Sequence, residues 1–280
     1  MKRKLKVMSL NRSDLPAAIA DELLCIADTK WVLGHWYIKL ILNGRSLTDF
    51  NALAAMAQDQ LGHTRSLFSL LEDRGYPASQ LEFGRSRFEV HNMELLDEPP
   101  KNWADFLVTA SLAEYALRVL FASYENSTDK VLGQFAMQCE RESEFHSLYL
   151  DGGLMGLSSD EKQLAIESLL KRYPLALRWF GSTSVDLPHV EGFRKSSLED
   201  LRKDFVRLCN DGIASHLQSE LPPKDMTCEN PWDWSRRRPQ GSAMPATLWE
   251  FVLPTNEQAV MCRRPIIQST KDSIRFTTTA

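Results

Sequence analysis

The sequence predicts an all-α protein, on three observations. Apolar residues recur at helical spacing through most of the first 180 positions. Gly, Pro and Asn-Gly punctuation cuts that pattern into long segments. The alternating polar and apolar runs that mark strands are missing from this half.

Residues 1–14 read as a flexible, basic arm. The first helix starts after Ser13 or Asp14 as cap, with Pro16 in its first turn, and carries Ile19, Leu23, Ile26, Val32, Leu33, Ile38 and Ile41 to a stop at Asn43-Gly44. The second runs from Ser46–Asp49 to about Arg74, where Gly75-Tyr76-Pro77 ends it. A connection over about 77–101 closes on Glu98-Pro99-Pro100. The third helix spans about Asn102 to Tyr124, and the fourth about Asp129 to Asp151, with Gly152-Gly153 as its expected end. A fifth covers Ser158 to about Trp179 behind the capping pattern Ser159-Asp160-Glu161-Lys162, and a sixth Ser197 to about Leu217. Beyond Pro222-Pro223 the chain turns irregular, with a short helix expected at Trp249–Val252; Trp232 and Trp234 read as packing anchors or an interface edge. Four long helices with one extended crossover between the second and third match ferritin-like connectivity. The expected organisation is an arm (1–14), a ferritin-like four-helix bundle (15–180) and a helical and irregular extension (181–280) packed on it.

With 280 residues, 43% of them hydrophobic, the chain can bury one large core. A net charge of -4 gives no reason to expect nucleic acid, and Arg236-Arg237-Arg238 reads as a solvated loop. The basic N-terminus has no apolar run behind it of the kind a signal peptide needs, and no stretch reads as long and apolar enough to span a bilayer. The expectation is a cytoplasmic protein without membrane or nucleic-acid partners. Cys25, Cys139, Cys209, Cys228 and Cys262 are scattered with no CxxC pair, as buried or free thiols would be.

Ferritin-like two-metal proteins take one carboxylate from each of two helices and a Glu-x-x-His pair from each of the other two. The second helix, AAMAQDQLGHTRSL, sets His63 three residues after Gln60 and four after Asp59. The fourth, CERESEFHSLYL, sets His146 three after Ser143 and four after Glu142. The third, SLAEYAL, carries Glu114 among apolar neighbours, and the first, WVLGHWYIKL, carries His35. The plainer readings are a buried His63 bonded to Gln60 or Glu114, an intrahelical His146–Glu142 ion pair, and a structural His35. Glu114 is the hardest to read plainly, because a carboxylate on the core side of an apolar helix must be paired or metal-bound.

These same segments resemble the phenylacetyl-CoA epoxidase family, a multicomponent mono-oxygenase of phenylacetate breakdown. QDQLGH is similar to the family's QDELGH-type motif, DTKWVLGHWYIKL to its first-helix block, HNMELLDEPPKNWADFLVTASLAEYAL to its crossover and third helix, and ERESEFHSLYL to its fourth-helix block. The likeness covers about residues 20–180, with a weaker echo in WEFVLPTNEQAVMCRRP. The chain resembles the catalytic-type subunit more closely than the non-catalytic one, with altered ligands. The resemblance implies metal ligands near His35, at Gln60 and His63, at Glu114, and at Ser143 and His146. His63, Glu114 and His146 match; Gln60 and Ser143 stand where the family has Glu, and no acid is evident on the first helix.

The departure matters because a neutral amide is a weak ligand that cannot bridge two cations as a carboxylate does. Glu142 and Asp59, one residue off, share the same helix faces and offer substitutes. Two functions follow. The first is an iron-dependent mono-oxygenase with His63, Glu114, Glu142, His146 and His35 as ligands and Gln60 and Glu114 beside the reaction. It would hydroxylate or epoxidise a small organic, acyl-CoA-type substrate. It would hold two iron ions if the set were intact, one or none given Gln60 and Ser143, in a homo- or hetero-oligomer with other oxygenase subunits and a reductase. The second is a non-catalytic structural subunit with a metal-free core.

Overall fold

The computed structural model describes residues 15–77, 81, 84–181, 186–223 and 231–252. The expected arm, the Ser13 or Asp14 cap, Cys228, Cys262 and the polar tail lie outside them.

Four long helices form the frame: α1 (Ala17–Leu40), α2 (Leu47–Glu72), α3 (Trp103–Tyr124) and α4 (Lys130–Met155). Side-chain caps fix most of the starts. Ser46 accepts from the Asp49 amide at 3.1 Å and Asn102 from the Asp105 amide at 2.9 Å. Asp129 takes the Val131 and Leu132 amides at 3.0 and 3.2 Å. α5 (Ser159–Arg178) opens with a reciprocal capping box between Ser158 and Glu161, one residue earlier than the sequence pattern indicates.

α1 packs on α2 and α3 on α4, while α5 and, beyond the single turn α6 (Leu187–Val190), α7 (Leu198–Cys209) cover the other side of α3. α3 is therefore enclosed all round. It is the exception to the expectation that nothing in the chain is long and apolar enough to cross a membrane: Trp103–Tyr124 meets that test at a mean hydropathy of 1.4, with 89% of the window buried inside the protein. A helix surrounded by other helices needs no polar face, so it takes on a membrane-like composition. Burying its leucines, valines and aromatics contributes about 1.5–3 kcal/mol each, which makes α3 the spine of the core.

Two glycine features differ from expectation. Gly152 and Gly153 do not end α4, which continues to Met155. Gly153 is there for close approach: a Cβ would lie 2.7 Å from a Leu107 methyl on α3. The sixth helix of the sequence is interrupted. α7 gives way to a π-helical turn over Asn210–Ala214 before a last turn, α8 (Ser215–Leu217). Gly212 abuts the Tyr115 hydroxyl, where no side chain fits, and the widened turn lets the backbone pass it.

The crossover and the C-terminal segment are held by buried ion pairs rather than by regular structure. Arg85 grips Asp28 of α1 with two bonds of 2.5 and 2.7 Å. Arg172 of α5 clasps Asp105 at 2.9 and 3.0 Å and also bonds the Leu95 and Glu98 carbonyls of the crossover. A two-stranded hairpin, β1 (Trp232–Asp233) against β2 (Arg238–Pro239), follows, and α9 (Ala246–Val252) lays Trp249 edge-on against Trp31. Arg236, Arg237 and Arg238 are not a solvated loop: all three are buried. Arg236 bonds the Val90 carbonyl at 3.0 Å, Arg237 pairs with Glu22, and Arg238 meets Asp97 at 2.6 Å. Each guanidinium has a partner on α1 or the crossover, which offsets its desolvation. Trp232 is buried in this contact and Trp234 is half-exposed. Cys25, Cys139 and Cys209 are free, buried thiols.

Glu22 receives Arg194, Arg237 and the Tyr124 hydroxyl together, tying α1, α3, the loop before α7 and the hairpin at one point. Glu22→Ala leaves the buried Arg237 guanidinium without its carboxylate and Arg194 with Asp186 alone, and should cost about 3–5 kcal/mol in urea denaturation. Lys203→Ala, which removes a surface pair with Glu199, should leave the urea midpoint unchanged.

Candidate functional site

The centre of the bundle holds a chain of polar side chains, one or more from each of α1 to α4. Lys30 of α1 is wholly buried and donates to the Gln60 side-chain oxygen at 2.8 Å. Its amine also lies 5.0 Å from the centre of the Phe121 ring, a cation–π contact. The Gln60 amide donates to Glu114 Oε1 at 2.6 Å. The same oxygen accepts from Tyr37 at 2.7 Å and faces His146 Nδ1 at 3.2 Å. The other His146 nitrogen faces Asp59 at 3.1 Å.

α2 and α4 run antiparallel here and meet reciprocally. Each carries an acid and, four residues on, a histidine, so both side chains share a helix face. Asp59 reaches His146, and Glu142 reaches His63. The two acids lie toward solvent while His146 and Glu114 are wholly buried. His63 is buried against the Phe135 ring edge.

Protonation follows from these neighbours. Burial acts against the Glu114 carboxylate, but His146, Lys30 and the Tyr37 hydroxyl outweigh it and hold Glu114 down at about 2. Burial acts against charge on His146 too, and Glu114 and Asp59 outweigh it, raising His146 to about 9. For His63, burial dominates and the Lys30 charge adds to it, pushing the ring down to about 3. The His63–Glu142 contact is therefore a hydrogen bond from a neutral ring through Nε2–H, not an ion pair. That tautomer leaves His63 Nδ1 as a buried acceptor without a partner, and Glu114 Oε2 is in the same position.

Of the positions singled out from sequence, Gln60, His63, Glu114, Glu142 and His146 come together. His35 does not. It lies five residues after Lys30, about 140° around α1 at 3.6 residues per turn, and packs edge-on against Trp31 and Phe251. Burial first, then Lys39, pushes it down to about 4. The plainer readings also need correction: His63 bonds Glu142 rather than Gln60 or Glu114, and His146 pairs with Asp59 and Glu114 rather than with Glu142 on its own helix. Ser143 turns back to the Cys139 carbonyl at 2.7 Å. Sequence reasoning missed Lys30 and Tyr37. Their seven-residue spacing puts both on one face of α1, and a lysine within an apolar stretch is the signal that was available.

A pair of iron ions needs several carboxylates to balance its charge. Here Glu114 is the one carboxylate in the deep core of the cluster. Gln60 is neutral, Ser143 offers a hydroxyl, and Lys30 brings a positive charge to the interior. Among the described residues no group of three or more His, Cys, Asp or Glu is disposed to hold a metal ion. The residues present do not fit a two-iron centre.

The family model described as "Phenylacetic acid catabolic protein" matches residues 10–232. No curated protein matches the chain.

The raised His146 has a consequence for stability. An unfolded histidine loses its proton near 6.5, whereas the folded ring keeps it to about 9. The Glu114–His146–Asp59 contribution is thus complete below pH 6.5 and is lost as pH rises through 9. Melting temperature measured across pH 6.5–9.5 should fall for the wild type, and His146→Gln should flatten that slope.

Proposed function

The chain belongs to the phenylacetic acid catabolic protein family, and we propose that within it the protein is a non-catalytic structural subunit, with Lys30 taking over inside the bundle the charge-balancing task that iron performs in the catalytic-type subunit. Family membership implies a role in phenylacetate catabolism. The single observation that carries the structural reading is the wholly buried Lys30, joined through Gln60 to Glu114. A core carboxylate must find positive charge, and here two side-chain cations, Lys30 and protonated His146, supply it. The polar chain from α1 through α2 to α3 and α4 then sets the register of the four helices and keeps the family's shape without its chemistry. The expected partners are the oxygenase subunits and reductase of a multicomponent assembly, with the aromatic acyl-CoA substrate bound by the catalytic chain.

A second reading keeps the oxygenase, with His63, Glu114, Glu142 and His146 around iron. What favours it is the pair of partnerless buried acceptors, His63 Nδ1 and Glu114 Oε2. Binding there would require Lys30 to withdraw and His146 to give up its proton, which makes metal affinity strongly dependent on pH.

Metal analysis of protein purified from iron-supplemented cells separates the two. The structural reading expects less than about 0.1 equivalent of iron, manganese or zinc, unchanged by His63→Ala and His146→Ala. Stoichiometric iron that disappears with either substitution would overturn it.

A further inference from the structure

One side of α1 is only half covered. Trp31, His35, Ile38 and Leu42 recur in steps of four and three residues and share that side, Leu42 standing on the single turn Ile41–Asn43 that prolongs the helix. α9 covers one flank of it: Trp249 meets Trp31 edge-on, Phe251 meets His35, and the Lys39 amine lies 4.7 Å from the centre of the Phe251 ring. α2 borders the other flank, where a Cβ on Gly34 would lie 2.8 Å from the Leu61 side chain. At about 100° per residue Ile38 falls between Gly34 and His35 around the axis, and Leu42 follows one turn on. Both stay open, at 43% and 44% exposure. Leu47 and Phe50, at the start of α2 and 73% and 40% exposed, share the side of α2 that carries Leu61. The result is an apolar furrow with α1 as its floor and α9 and α2 as its walls, not the scattered exposure that a surface ordinarily carries.

The direction of the chain indicates what fills it. Between Trp249 and Phe251, α9 advances from Trp31 to the level of His35 and Lys39, so it runs toward the C-terminal end of α1. Its last residue, Val252, is buried. Leu42 lies three residues beyond Lys39, about 5 Å along the helix axis, which two extended residues can span. The chain continues to residue 280, and residues 253–267, outside the described residues, carry Leu253, Val260, Met261, Ile266 and Ile267. A segment tethered at the mouth of the furrow acts there at an effective concentration of about 1 mM or more, an advantage no free partner has.

We propose that residues 253–267 of the same chain lie along this furrow and cover Ile38, Leu42, Leu47 and Phe50, fastening α9 to the α1–α2 pair. The docking does not rest on the metal-free reading, because the furrow is on the outer side of α1 and the metal question concerns the interior of the bundle.

Trypsin cleavage of the full chain at the Arg263–Arg264 bond, read by mass spectrometry against a synthetic peptide of residues 253–280, tests this. The wild type should be cut at least about 10-fold more slowly than the peptide, because a docked segment is cut only when it opens. Leu42→Glu and Phe50→Glu place a charge in the furrow and should each raise the rate at least about 5-fold. Leu148→Glu, an exposed apolar position on α4, should leave it unchanged. A wild type cut as fast as the peptide overturns the proposal. So does protection that survives both furrow substitutions, or protection that fades on dilution, which would assign the furrow to a second copy. Metal content decides the structural-subunit reading separately from any of these outcomes.

Discussion

The arrangement depends on one buried carboxylate. Glu114 lies in the middle of α3, enclosed by the rest of the bundle, and an isolated charge there would cost more than the stability of a typical domain. Everything around it answers that cost. Tyr37, Gln60 and His146 converge on one of its oxygens, and Lys30 completes the balance through Gln60. These groups come from three helices and Glu114 from the fourth, so satisfying one carboxylate also aligns the frame. Neutralisation by side chains, unlike neutralisation by a metal, is covalently built in and needs no loading step.

The periphery follows the same logic on a larger scale. Asp28, Asp105 and Glu22 each lie beneath an arginine from a distant part of the chain. These clasps fasten the crossover and the hairpin to α1 and α3, where regular hydrogen bonding is absent. Gly153 and Gly212 act in a complementary way, letting α4 and the π-helical turn approach α3 where a side chain would intrude.

Much of this was legible in the sequence, and the misses have physical causes. Glu114 stood out as an acid within SLAEYAL, and the Asp59/His63 and Glu142/His146 spacings put each acid and histidine on one face of a helix. α1 was harder. It is buried on nearly every side, so its apolar periodicity marks no single inward face. Without that phase, nothing in the sequence decides whether His35 or Lys30 faces the interior of the bundle. The arginine run misled for another reason: Val90, Glu22 and Asp97 lie more than a hundred residues away in sequence from the guanidinium groups they receive. A glycine pair looks alike whether it ends a helix or allows a close contact, and only the position of Leu107 tells the two apart.

The coupling between Lys30 and Glu114 is the most direct measure of the central claim. Urea denaturation of Lys30→Met, Glu114→Gln and the double variant gives it as a double-mutant cycle. If the two charges balance each other, the double variant should be more stable than the sum of the single losses by about 1.5 kcal/mol or more. Losses that simply add would show that Lys30 does not compensate Glu114, and would contradict the account.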